Sequence, residues 1–453
     1  MSATLADVDG PYASGTQSIA RRIVLILLLV IPLSQIALDA YTPALPQMAA
    51  DFGASNALVQ NTVTAYMLGL SVAFIPIGLI SDALGRKRVL LAGLGLLVVT
   101  SIGCAFADSL GLLMCLRFVQ GIGASACLLL SAAIAADCFR GAKLVSVLGL
   151  LGAAWGSAPV IAPAVGGFVV QLGSWRMVFG LLAALAGVVA LVVAKALPET
   201  LHAELRTPVD VRAAGRVLAE ALRHRLFLAY VVMFGLVGAA QLAFGVVGPF
   251  LYQDKLGFSP ATYGLIALGI GTANLIGELA CGGLAQRTTT HRLAFGAWTV
   301  FFLGAVTLVV SAAVVGVHAW TITIGAALAL LGIGVLDPQS KGLAMGVFTR
   351  NIGLIGGLVN TCCYLVVSVA MALLAYLPEN SQAPLGWLYV GVGVVFAGLL
   401  AATMLPARAG LAAAARITLS PNGFRRRISK YLSLSVGNRR TYGRFGRLTR
   451  GTR

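Results

Sequence analysis

The sequence predicts an all-α integral membrane protein, with twelve transmembrane helices in two six-helix bundles. Three observations lead there. Of 453 residues, 59% are hydrophobic and 10% charged, against about 25% charged in an ordinary soluble domain. Twelve stretches reach the roughly 20 apolar residues that cross a bilayer: 23–45, 58–81, 88–107, 111–137, 144–171, 176–197, 226–251, 261–285, 293–316, 319–342, 352–377 and 386–406. A polar segment, 198–225, separates six of them from the other six. Mean hydropathy, +0.93, agrees.

Charge placement sets the orientation, because inner loops of membrane proteins collect Lys and Arg. With a cytoplasmic N-terminus, Arg176 and Lys255 fall in outer loops, Arg117 falls inside a span, and the other 29 of 32 basic residues lie on the inner side. Both termini are then cytoplasmic. The expected organisation is a 1–22 tail, a 23–197 bundle, a 198–225 cytoplasmic linker, a 226–406 bundle and a 407–453 basic tail. The linker carries both signs of charge and alternates like an amphipathic helix lying on the membrane face.

The formal net charge of +17 comes largely from 407–453, with twelve basic residues and no acid. Such a segment reads as a disordered tail drawn to anionic inner-leaflet lipid, or as an atypical terminus with no role. Nucleic acid is excluded as a partner, since no folded binding module accompanies the charge. The first apolar stretch spans the membrane and shows no small-residue cleavage site, so no cleaved signal peptide is expected. Seven cysteines, none in a C-x-x-C pair, and four scattered histidines suggest neither a metal site nor a catalytic set. No cofactor is implied. GIGTAN at 269–274 lies within a span without a preceding strand, so it is not a phosphate loop.

The loop between spans 2 and 3 carries the strongest motif, GLISDALGRKRVLL, from Gly78 to Leu91. A loop obeying only the charge rule explains Arg86, Lys87 and Arg88, but not an aspartate just before a Gly-Arg-Lys turn. Asp82 can cap or pair there, and glycines such as Gly78 and Gly85 allow close approach. The loop between spans 8 and 9, GGLAQRTTTHR, is a degenerate echo. The first loop resembles the signature of the major facilitator superfamily, G-x-L-x-D-R-x-G-R-R, with Ala83 and Ile80 as departures. RFVQGIGAS (Arg117–Ser125) resembles that family's fourth-span motif, and GAAWGSAPVIAPAVGG (Gly152–Gly167) its fifth-span antiporter motif. LDAYTPALP and WRMVF (Trp175–Phe179) are similar to stretches of the Bcr/CflA drug:proton antiporters, although Phe74 stands where that group often has Gln.

The resemblance implies a major facilitator fold, proton-coupled drug efflux by alternating access and a bacterial inner-membrane location. By it, Asp82 and Arg86 lock one conformational state, with Asp137 as a third member, and Arg117 serves proton coupling. Fifth-span residues Gly156, Pro159, Pro163, Gly166 and Gly167 form the antiporter-type helix. Pro159 and Pro163, four apart, share a face and each removes a backbone hydrogen bond. Packing variation alone would also place glycines there.

Depth links Asp39 to Arg117. Asp39 stands 16 residues past Ile23, ~24 Å at 1.5 Å per residue, while Arg117 enters from the other face and reaches ~9 Å. The two charges approach one level, and buried charges in membranes are paired or functional. The alternatives are an interfacial polar residue for Asp39 and a packing residue bonding helix carbonyls for Arg117. Further cavity candidates are Tyr41, Tyr66, Gln120, Asn274, Glu278 and Asp337, with Phe244 and Tyr364 as additional aromatics. Asn274 and Glu278 share a face of span 8; Asp337 and Lys341 do so on span 10 and can neutralise each other. No P-loop is present, so an ion gradient supplies the energy. Expected partners are a small-molecule substrate, protons and membrane lipid, on a monomer. A proton symporter importing a metabolite is the alternative; an enzyme or receptor lacks the residues it would need.

Overall fold

The computed structural model describes residues 17–348, 352–377 and 381–419, with side chains for 19–348, 353–377 and 381–403. Among them, twelve helices are long and apolar enough to cross a membrane: Ile19–Phe52, Asn56–Leu84, Arg86–Ala105, Leu110–Cys138, Gly141–Leu172 and Trp175–Ala196, then Arg225–Lys255, Pro260–Leu284, Thr290–Val314, Ala319–Met345, Gly353–Leu374 and Ala383–Thr403. They are spans 1 to 12 below. Hydroxyl caps start many of them: Ser55, Ser109, Ser174, Ser259 and Thr289 each accept a first-turn N–H, satisfying donors that helix geometry leaves open.

Helix–helix contact in a bilayer depends on close backbone approach rather than on hydrophobic drive, and glycines supply it. Spans 2 and 4 cross at Gly69 and Gly121, spans 8 and 10 at Gly277 and Gly334. Within the first six spans, 2 packs on 4, 3 on 4 and 3 on 6. The second six repeat this: 8 on 10, 9 on 10, and 9 on 12, where the Trp298 indole donates to the Gly393 carbonyl at 2.8 Å. Two further pairs join the halves, 5 with 8 and 2 with 11. Adding six to each number of the second pair, cyclically, returns the first. The packing therefore carries a two-fold repeat, as parallel halves of a transporter do.

The linker holds a helix at Val211–Arg223, capped by Asp210, with Ala214 and Ala221 buried against the bundle. The last helix runs Ala383–Leu419, past Pro406 and into the segment expected to be an unstructured tail. Its Ala-rich sequence, LAAAAR, favours helix strongly. The remainder of that tail lies outside the described residues, as does most of the N-terminal tail.

Candidate substrate cavity and gating loop

Asp39 is placed by a break in span 1. Three prolines, Pro32, Pro43 and Pro46, lack the N–H a helix needs, and the span divides into Gln17–Val30, Leu33–Asp39, a 3₁₀ turn at Thr42–Ala44 and Leu45–Phe52. Pro43 cannot donate to the Asp39 carbonyl, so the Thr42 hydroxyl does, at 3.0 Å. The Asp39 carboxylate, 6% exposed, takes the Gln35 amide at 2.8 Å.

Arg117 is fully buried one layer behind. Its guanidinium donates to the Ala37 carbonyl at 2.9 Å and to Gln120 at 2.5 Å, and it lies 4.2 Å and 4.3 Å from the ring centres of Tyr41 and Tyr66. The rings are themselves fixed: Tyr66 donates to the Ser34 carbonyl at 2.6 Å, and Tyr41 shares a hydrogen bond with Thr62 at 3.1 Å. Gln120 donates onward to Ser101 at 2.7 Å. Two aromatic faces and two oxygens thus hold the cation. No ion pair joins it to Asp39; the two charges meet through the backbone, two residues apart at Ala37 and Asp39.

Asp39 opens instead onto a central cavity of about 120 Å³ between the halves. That is below the roughly 300–1,000 Å³ of ligand pockets. Gln35, Asp39, Trp155, Pro159 and Pro163 line it from the first half; Phe244, Tyr263, Asn274, Asp337, Lys341 and Tyr364 line it from the second. Of the sequence-derived cavity residues, Asn274, Asp337 and the aromatics Phe244 and Tyr364 reach the lining. Tyr41, Tyr66 and Gln120 sit behind the wall, packed around the buried Arg117. Glu278 also lies outside the lining, hydrogen-bonded by the Asn274 amide at 2.9 Å. Asp337 and Lys341 do not form an ion pair; the Lys341 ammonium lies 5.8 Å from the Phe234 ring centre. Trp155 and Tyr263 were not singled out by sequence, because a lone aromatic in an apolar span carries no distinguishing pattern.

Span 5 packs closely beside Asp39 and against span 8. A side chain at Gly166 would collide with the Ala40 carbonyl, and one at Gly167 with the Pro260 carbonyl of span 8. Gly156 meets the Glu278 carboxylate. Pro159 and Pro163 share the cavity-facing side, as their spacing requires. Gly152, by contrast, is exposed with nothing near it.

The loop between spans 2 and 3 forms a compact charge network. Arg86 pairs with Asp82 at 2.5 Å and with Asp137 at 3.1 Å, and donates to Ser81 at 2.6 Å. Glu199, from the linker's Pro-Glu-Thr, accepts the backbone N–H of Arg86 at 2.9 Å and of Lys87 at 3.3 Å. It caps a helix start, where negative charge is favoured. Gly85 adopts φ +103°, and a side chain there would strike Glu199. Gly78 has the Leu129 side chain beside it. In the sequence, Glu199 is marked only as an acid close after span 6 on the strongly basic face.

Known proteins share this architecture. The family model described as Major Facilitator Superfamily matches residues 27–371. An uncharacterized MFS-type transporter of Bacillus subtilis, YdgK, is 29% identical over 77% of this chain and 87% of its own. The multidrug resistance protein MdtL of Escherichia coli is 30% identical over 70% and 81%. Among solved structures, the E. coli xylose transporter XylE in a partially occluded inward-open conformation aligns with a TM-score of 0.67, covering 84% of this chain and 96% of its own at 14% identity. With the twelve spans and the paired halves, these matches establish that the chain belongs to the major facilitator superfamily and is a multi-pass membrane transporter, not an enzyme.

Proposed function

We propose that this transporter exports small amphipathic compounds in exchange for protons, as a drug:proton antiporter of the Bcr/CflA type working by alternating access. The observation that carries the reading is Asp39: a nearly buried carboxylate that faces the central cavity without a cationic partner, one layer from a caged arginine. An intramembrane carboxylate is costly when charged and marks ion or substrate pathways. Asp39 is the proton-exchanging group, and Arg117 holds the broken helix that presents it. Span 5, with its proline face and glycine seal, closes and reopens the cavity; Asp82, Arg86, Asp137 and Gly85 latch the opposite end. MdtL's name supports drug export. The bacterial relatives support a bacterial inner membrane, and the basic-residue asymmetry supports cytoplasmic termini and linker, with protons and lipid as partners of a monomer.

The test is substrate-induced proton movement in proteoliposomes, comparing wild type with Asp39→Asn over a compound panel. Substrate-driven proton efflux from acid-loaded vesicles that vanishes in the variant is the expected result. Proton flow in the same direction as substrate would make the protein a symporter that imports a metabolite. Undiminished exchange in Asp39→Asn would remove Asp39 from the coupling step.

A further inference from the structure

The second half of the cavity wall carries charge that the proposed proton step does not use. Spans 8 and 10 cross with their backbones touching: a side chain at Gly334 would strike the Asn274 carbonyl, and one at Gly277 the Leu331 carbonyl. This crossing sets Asn274 and Glu278 on one side and Asp337, one turn past Gly334, on the other. Asn274 is 2% exposed. Its amide nitrogen is spent on Glu278, but its side-chain oxygen has no partner, although the residue lines the cavity. A buried carbonyl oxygen left unpaired is expensive unless something else donates to it.

Two carboxylates, Glu278 and Asp337, stand here against one ammonium, Lys341, and no ion pair joins them. With all three ionised, the cluster is one positive charge short of balance. Charges within membrane-spanning segments are paired, and the open acceptor on the buried Asn274 calls for a donor. A single ligand supplies both: an N–H-bearing organic monocation. Its apolar body has Phe234, Phe244, Tyr364 and Trp155 to lie against, and cations favour aromatic faces.

We propose that the C-terminal bundle holds a subsite for the cationic head of the substrate, formed by Asp337 and the free side-chain oxygen of Asn274 at the crossing of spans 8 and 10. Glu278 is its positioning residue, orienting Asn274 through the amide. Lys341 is the resident charge that competes with the ligand. The subsite deepens the efflux reading by naming amphipathic monocations as the favoured substrates, and it separates substrate capture in the second half from proton exchange at Asp39 in the first.

Equilibrium binding to the full-length purified transporter in detergent tests this without requiring coupling or a transport direction, so it can fail while antiport stands, and the reverse. The probes are proflavine, a flat N–H-bearing monocation, and chloramphenicol, which is uncharged. Asp337→Asn is expected to weaken proflavine about tenfold, the loss typical of a charge-assisted hydrogen bond, with chloramphenicol within about twofold of wild type. Lys341→Met is expected to move the other way and tighten proflavine several-fold, a gain that misfolding cannot produce. Glu278→Gln, which keeps a partner for the Asn274 amide, is expected to weaken proflavine less than Asp337→Asn. Unchanged proflavine affinity in Asp337→Asn, equal loss of both probes, weaker proflavine binding in Lys341→Met, or no saturable proflavine binding by wild type would each overturn the assignment.

Discussion

Ser71 and Thr361 clasp one another across the two halves: the Ser71 hydroxyl donates to the Thr361 carbonyl at 2.9 Å, and the Thr361 hydroxyl donates to the Ser71 carbonyl at 3.1 Å. One turn on, Phe74 stacks on Tyr364 with ring centres 5.5 Å apart. This span 2–11 pair is the repeat partner of the span 5–8 pair, yet its chemistry differs. Glycine against carbonyl closes one seam, reciprocal hydrogen bonds the other. Each such bond contributes about 1 kcal/mol, so the clasp biases the conformational equilibrium roughly 10-fold or more. In Ser71→Ala/Thr361→Val the conformation described here is expected to lose population. The rate of maleimide labelling at Cys363, a cavity-lining thiol, in a background lacking the other cysteines, should rise accordingly. An unchanged rate would mean that the clasp does not hold the halves.

Gly85 cannot be exchanged for alanine without two penalties. Its φ of +103° and ψ of 152° belong to a region nearly exclusive to glycine, worth about 1–3 kcal/mol of strain for other residues. The new methyl would also meet the Glu199 carboxylate 2.5 Å away. Gly85→Ala is expected to lower the thermal unfolding midpoint in detergent and to slow transport. Glu199→Gln, which keeps an acceptor oxygen, should lose less of both. A Gly85→Ala protein as stable and active as wild type would show that the loop tolerates displacement of Glu199.

Span 5 provides a matched pair of glycines. At Gly166 a methyl would run into the Ala40 carbonyl beside Asp39, whereas at Gly152 nothing lies within 4 Å. Gly166→Ala is expected to abolish transport while the protein still reaches the membrane. Gly152→Ala should leave transport intact and, as a mid-helix glycine replaced, stabilise by about 0.5–1 kcal/mol. Equal transport rates for the two variants would show that close packing at Asp39 is not required for function.

Replacement of Arg117 tests its cage. Lysine keeps the charge but lacks the planar fork that reaches the Ala37 carbonyl and Gln120 while lying against two rings. Arg117→Lys is expected to fold with a loss of about 1–3 kcal/mol, read from detergent unfolding. Arg117→Ala, which strands both acceptors and leaves a void, should lose more and express poorly. Equal stability of the two variants would argue that charge alone, and not shape, is what the pocket recognises.

Hydropathy makes the twelve spans legible because each holds at least 20 residues with an apolar, sparsely charged stretch. The grouping of Asp82, Arg86 and Asp137 comes from the resemblance of GLISDALGRKRVLL to the superfamily signature, since position alone puts Asp137 more than fifty residues from Asp82. The cage around Arg117 was harder: Tyr41 and Tyr66 come from spans 1 and 2, and nothing in their local sequence says whether a tyrosine faces a cavity or a buried cation. Glu199 falls within the linker by sequence, although it caps the start of span 3 from more than a hundred residues away. At span 12 the hydrophobic pattern stops near Pro406, but helix propensity does not, so the helix outlasts its membrane signal.

Trp155 gives the cavity an optical consequence. The protein has five tryptophans. The indole N–H of Trp175 is bonded to Asp51 at 2.7 Å and that of Trp298 to Gly393 at 2.8 Å, while Trp320 and Trp387 are 72% and 61% exposed. Trp155 is the one on the cavity wall, with its N–H buried and unpartnered. Its emission is therefore the one most directly exposed to what fills that space, which makes Trp155 an intrinsic optical reporter of the cavity's contents.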